Sequence, residues 1–168
     1  MLKVFLVEDE SVIREGFRDK IPWEQYGFQL VGEAGDGEMA LPMIRKLKPD
    51  LLITDIKMPF MDGLSLSEIV KEEFPKIKII IISGYDDFEY ARQAIKAGVD
   101  QYLLKPITRT TLRGVLLEMK EKIEQGMEQK DYQAQYQDEV QEFEQFSLRR
   151  FFEKILEGKL SVKEIYEE

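Results

Sequence analysis

The 168-residue chain contains neither cysteine nor histidine. Without cysteine there is no disulfide framework, no thiolate nucleophile and no cysteine-built zinc site. Without histidine there is no Ser-His-Asp triad, no imidazole general base and no phosphohistidine made on this chain. Long hydrophobic runs are missing as well: no stretch approaches the length of a membrane span. The opening MLKVFLVEDE meets acids after seven residues, too soon for a secretory signal. A soluble, cytoplasmic protein with no membrane partner is expected. Its chemistry must run on carboxylates, hydroxyls, lysines, arginines and a hard metal ion. Basic residues are the minority, 24 against 33 acids, for a formal net charge of −9. A hydrophobic content of 43% supports one sizeable core, and the length suits one domain with an appendage.

Proline and glutamine divide the chain. All six prolines lie at or before Pro106, whereas seven glutamines fall between Gln125 and Gln145. In the first part, short apolar or β-branched runs predict strands at Leu2 to Val7, Phe28 to Glu33, Leu51 to Thr54, Ile77 to Ile82 and Gln101 to Leu104. The runs Leu51 to Ile53 and Ile79 to Ile82 are apolar on both faces, as parallel strands covered by helices require. Between the strands, Ser11 to Lys20, Gly37 to Leu47, Leu64 to Phe74 and Phe88 to Ala97 have helical spacing of apolar residues. Ser11 is the expected N-cap of the first helix and Gly98 the expected stop of the fourth. The pattern is α/β, a doubly wound five-stranded parallel sheet of (βα)5 type with right-handed crossovers.

Ligands of such sheets sit outside the carboxyl ends of the strands. Glu8 and Asp9 follow the first strand, Asp55 the third, Ser83 the fourth and Lys105 the fifth. Taken singly, each is an ordinary loop or turn residue. Together they lie on one rim in an order that one reaction can use. Three converging carboxylates repel unless some protonate or a cation neutralises them, and Mg²⁺ or Mn²⁺ with oxygen ligands fits. Asp55 can then attack a phosphoryl donor, while Lys105 and Ser83 each bind a phosphoryl oxygen. The Gly35-Asp36-Gly37 segment is only a turn between strand and helix, and no P-loop is present.

The set Glu8-Asp9, Asp55 to Pro59, Met61-Asp62-Gly63, Ser83-Gly84 and Tyr102 to Pro106 resembles the receiver domain of two-component response regulators over about residues 1–122. The resemblance implies a flavodoxin-like strand order 2-1-3-4-5 and a C-terminal helical extension. It also implies Mg²⁺-dependent transfer of a phosphoryl group to Asp55 from a sensor histidine kinase, which brings the histidine this chain lacks. Such a domain is not a conventional enzyme, although it catalyses its own phosphorylation and dephosphorylation at Asp55. By the same resemblance the backbone carbonyl of Lys57 joins Glu8, Asp9 and Asp55 as a metal ligand. Ser83 and Tyr102 form the switch pair, while Lys57 and Tyr85 tune hydrolysis, bulky Tyr85 slowing it. Phosphatases of the haloacid dehalogenase type place a second Asp two residues after the nucleophile; here that position is Lys57.

From Thr108 an apolar stripe through Leu112, Leu116, Met119, Ile123 and Met127 predicts a helix that, continued to Phe146, would reach about 60 Å. It cannot bury that stripe alone, so residues 123–168 are expected to be a helical linker that dimerises as a coiled coil, with the competing reading a frayed glutamine-rich linker. Ile21-Pro22-Trp23, Val31 to Ala34, Ser83 to Ala91 and Phe151 to Gly158 resemble response regulators whose receiver is joined through such a linker to an AraC-type helix-turn-helix domain. No such domain lies within these residues, so the chain reads as an N-terminal fragment. The stretch from Lys120 has 8 basic against 13 acidic residues, so this fragment should not bind DNA itself. Competing functions are a constitutive dimerisation scaffold and a receiver driving a non-DNA output.

Overall fold

The structure, a computed structural model, describes residues 1–84 and 88–128. Five parallel strands alternate with helices: β1 (Leu2–Val7), α1 (Ser11–Lys20), β2 (Phe28–Ala34), α2 (Gly37–Leu47), β3 (Leu51–Asp55), α3 (Gly63–Glu73), β4 (Lys78–Ser83), α4 (Phe88–Lys96) and β5 (Gln101–Leu104). A 3-10 turn, Trp23–Tyr26, precedes β2, and residues 109–128, here α5, are helical. The sheet order is β2-β1-β3-β4-β5, as the resemblance implies. Met1–Ile123 form one compact unit, and Glu124–Glu168 are assigned to a second. The expected helix beyond residue 128, its coiled coil and the segment Phe151 to Gly158 lie outside the described residues, as does Tyr85.

The period of two along each strand divides the core into two layers. Val4, Leu6, Leu51, Ile53, Ile80 and Ile82 face one side, where Leu112, Leu116, Met119 and Ile123 of α5 cover them. Phe5, Val7, Leu52, Ile79 and Ile81 face the other, beneath Ile44 of α2, Leu66 and Val70 of α3 and Ala94 of α4. Each fully buried Leu or Ile contributes about 1.5–3 kcal/mol, so the layers hold the strands in register and their carboxyl ends level. The sole tryptophan, Trp23, closes the first layer; its indole N–H donates to the Phe17 carbonyl at the end of α1, 3.0 Å away.

Several boundaries differ from the sequence reading. Asp55 and Ser83 lie within β3 and β4 rather than after them, because the backbone ladder continues past the apolar run: Asp55 is paired with Ile82 and Ser83 with Leu104. Ser11 is not the N-cap of α1. Glu10 occupies that position in extended conformation, and its carbonyl accepts from Arg14 N–H at 2.9 Å, which makes Ser11 the first helical residue. Asp36 is more than a turn residue, since it caps α2 by accepting from Met39 N–H at 2.8 Å. Gly98 does end α4, at φ +82°, with Val99 and Gly98 N–H groups donating to the Ala94 and Ile95 carbonyls.

Candidate functional site

Pairing of Val7 with Thr54, and of Asp55 with Ile82, sets the ends of β1, β3 and β4 side by side. Glu8 continues β1 and Asp55 ends β3, and one oxygen from each of Glu8, Asp9 and Asp55 lies within 4.8 Å of the others. Glu8 and Asp55 are buried and Asp9 is exposed. Lys105, just past β5, inserts its ammonium between the two buried acids, with Nζ 3.2 Å from Glu8 Oε2 and 3.1 Å from Asp55 Oδ2. The other Asp55 oxygen accepts from Ile56 N–H at 2.7 Å, and Glu8 Oε1 accepts from Glu10 N–H at 3.3 Å.

One ammonium does not balance three acids. Burial, and then the charge of Asp55, push the Glu8 carboxyl up to about 7, with Lys105 opposing both. Burial alone would lower Lys105, but its hydrogen bond to Asp55 and the charges of Glu8 and Asp55 outweigh this and hold it above the usual lysine range. A site of this kind gains from a hard divalent cation, for which clustered carboxylate oxygens are the suitable donors. Ser83 is fully buried at the end of β4, and its carbonyl accepts from Lys105 N–H at 2.7 Å, which ties the fourth and fifth strand ends together. The rim thus carries three clustered carboxylates, an ammonium between two of them, and a buried serine at the adjacent strand end.

A profile of the response regulator receiver domain matches residues 4–117. The chain belongs to the response regulator receiver family. It is 35% identical over 158 residues, 94% of its length, to the uncharacterized transcriptional regulatory protein YesN of Bacillus subtilis, of which the match covers 43%. The chain therefore spans less than half the length of this curated relative. Among solved structures, the receiver domain of AraT, a response regulator from Geobacillus stearothermophilus, shares 44% identity at a TM-score of 0.70, with 75% of this chain and 98% of that one covered. A two-component transcriptional regulator AraC from Clostridium phytofermentans shares 31% identity at a TM-score of 0.67, covering 77% and 99%.

The remaining positions singled out in the sequence take different places on the receiver. Tyr102 on β5 is half-buried against the layer under α2, α3 and α4. The Lys57 side chain is exposed and its ammonium lies 5.4 Å from the centre of the Tyr90 ring on α4. Both line an open cleft of about 450 Å³ with Asp9, Ile56, Met58, Asp62 and Leu64. Within the loop between β3 and α3, Phe60 adopts a left-handed φ of +67° and points 85% of its surface to solvent.

Two contributors were not read from the sequence as parts of the site. Tyr90 reaches Lys57 from the opposite wall of the cleft, a contact made between segments 33 residues apart and carried by no local pattern. Gly63 was legible only as part of a motif. Its N–H donates to the Ile56 carbonyl at 2.8 Å, and a Cβ at this position would run into the Asp55 carbonyl oxygen. Only glycine lets α3 start so close beneath the end of β3. Asp62 caps that helix by accepting from Ser65 N–H at 2.7 Å.

Proposed function

We propose that this receiver accepts a phosphoryl group on Asp55 from the phosphohistidine of a sensor kinase, with Mg²⁺ held by Glu8, Asp9, Asp55 and the Lys57 carbonyl. The observation that carries this reading is the Lys105 ammonium lodged between Glu8 and Asp55 beside three clustered carboxylates. When bound, Mg²⁺ offsets the carboxylate charge and the charge of the incoming phosphoryl oxygens. An Asp55 oxygen attacks phosphorus in line. The Oδ–P bond forms as the N–P bond breaks, and the donor ring leaves as neutral imidazole after taking up one proton from solvent. Lys105 follows the charge onto a phosphoryl oxygen, and Ser83 donates its hydroxyl to another.

The new dianion is the switch. Movement of Ser83 draws the end of β4, Tyr102 fills the space left behind, and the populations of two pre-existing states shift toward the output-competent one. Lys57 and Tyr85 set how readily water reaches the acyl phosphate. Residues 1–122 act as the phosphoacceptor domain and 123–168 as a helical linker through which two copies associate. The relatives described as transcriptional regulators support a cytoplasmic transcription factor as the whole protein, its DNA contacts made by an AraC-type domain rather than by this acidic chain.

Incubation with Mg²⁺ and acetyl phosphate, followed by intact mass, tests the chemistry. A phosphate-mass adduct is expected that disappears without Mg²⁺ and in Asp55→Asn. No adduct on the wild type, or one that persists in Asp55→Asn, overturns the reading.

A further inference from the structure

One charged chain on α1 ends at the acidic cluster. A spacing of four sets Arg14 and Arg18 on one face of the helix, and both reach Glu33 on β2. Arg18 Nη1 lies 2.9 Å from Glu33 Oε1, and Arg14 Nε lies 3.8 Å from the same oxygen. The second carboxylate oxygen, Glu33 Oε2, is buried without a hydrogen-bond partner, so the two guanidinium groups are what compensate this acid. From there Arg14 Nη1 donates to the backbone carbonyl of Glu8 at 2.7 Å. We propose that Arg14 is a positioning residue for the divalent-cation site: its guanidinium, anchored on Glu33, fixes the Glu8–Asp9 peptide so that both carboxylates converge on Asp55.

The need for such a clamp follows from backbone geometry. Successive side chains of an extended strand point to opposite faces, yet buried Glu8 and exposed Asp9 must bring their oxygens within 4.8 Å of each other and of Asp55. The chain has to turn at the peptide that joins them. On one side Glu8 N–H is pinned to the Ala34 carbonyl at 3.0 Å. On the other, the Glu8 carbonyl is held by Arg14 through a charge-assisted bond, stronger than a neutral one. The guanidinium fork can face Glu33 through Nε and the carbonyl through Nη1 at once, which a lysine ammonium at this position cannot do in the same plane.

The proposal rests on the reading above that the cluster binds Mg²⁺, and one titration separates the two. Mg²⁺ alone is titrated calorimetrically into the wild type, Arg14→Met, Arg14→Lys and Glu33→Gln, and the melting temperature of each is taken without metal. Arg14→Met should weaken Mg²⁺ about tenfold, the low end of the loss seen when groups that orient metal ligands are removed. Arg14→Lys and Glu33→Gln should fall between it and the wild type, with metal-free melting temperatures close to the wild type. A lowered melting temperature with unchanged Mg²⁺ affinity in Arg14→Met marks a merely structural role and overturns the proposal. Should that variant not fold, unchanged affinity in Glu33→Gln overturns it. A wild type that binds no Mg²⁺ overturns both this proposal and the metal-site reading, whereas normal wild-type binding with unaffected variants overturns this one alone.

Discussion

The sheet carries a lysine–carboxylate cluster at each end, and the two are built on opposite arithmetic. At the amino ends of β4 and β5, Asp100 is surrounded by donors: Lys71 Nζ at 2.9 Å, Lys78 Nζ at 3.7 Å and Ile79 N–H at 2.8 Å. Lys71 spends a further hydrogen on the Ile77 carbonyl at 2.7 Å. Two cations serve one acid, and the cluster fastens α3 to the β4–β5 edge. At the carboxyl ends, one ammonium serves Glu8 and Asp55, with Asp9 alongside. The first cluster is saturated and needs nothing more, while the second is short of positive charge and is improved by a cation or by proton uptake. Structural ion-pair networks are common, so an ion pair is weak evidence of function by itself; a charge imbalance whose exposed member, Asp9, lines a cleft is stronger evidence.

The contrast can be broken most sharply at Lys105. Lys105→Met should slow Mg²⁺-dependent labelling by acetyl phosphate at least about a hundredfold, as expected for loss of a charge that meets the transferring group, while the fold persists. Rates from intact mass against time check this, and a near-normal rate would make Lys105 as structural as the lysines around Asp100. Next comes Gly63→Ala, which forces a methyl group onto the Asp55 carbonyl and should cost about 2–3 kcal/mol, read as a lower urea midpoint. Asp100→Asn leaves two half-buried lysines without their carboxylate and should cost about 2 kcal/mol, less than the 3–5 kcal/mol of a fully buried pair. Its labelling rate should stay within about twofold of the wild type; a larger fall would mean that the two clusters are coupled.

A further effect is one of pH. The Glu8 carboxyl lies at about 7 in the metal-free fold, against 4.5 for an ordinary glutamate. Between these values the folded chain holds one more proton than the unfolded chain, so metal-free stability falls as pH rises from about 4.5 to about 7. Mg²⁺ must displace that proton. Its affinity should therefore fall by up to about tenfold per pH unit below 7 and level off above about 8, and calorimetric titrations from pH 5.5 to 8.5 check the slope. A flat profile would show that Glu8 is already ionised, with Lys105 balancing it fully.

Much of this was legible in the sequence because the signals are local. The unbroken apolar runs Leu51 to Ile53 and Ile79 to Ile82 identify doubly covered strands, and placing polar residues at their ends gathers Glu8, Asp9, Asp55, Ser83 and Lys105 on one rim. What escaped is of two kinds. Backbone pairing is blind to polarity, so Asp55 and Ser83 belong to strands expected to end one residue earlier, at Thr54 and Ile82, and Glu10 begins a helix that Ser11 was expected to cap. The other kind is tertiary proximity: Arg14 against the Glu8 carbonyl, Lys57 against Tyr90, and Gly63 beneath Asp55 each join segments whose spacing carries no period. An arginine on an amphipathic helix looks like solvated surface until the strand end beside it is known.

The environment of Trp23 has a practical consequence. A single indole, buried and hydrogen-bonded to the last turn of α1 while sharing a layer with Leu116, Met119 and Ile123, is an intrinsic optical probe of the junction between α1 and α5. Its emission should be blue-shifted relative to free tryptophan. Any change in its intensity or wavelength on adding Mg²⁺ or phosphodonor would then record, without labels, whether chemistry at the rim is felt where the chain leaves the receiver.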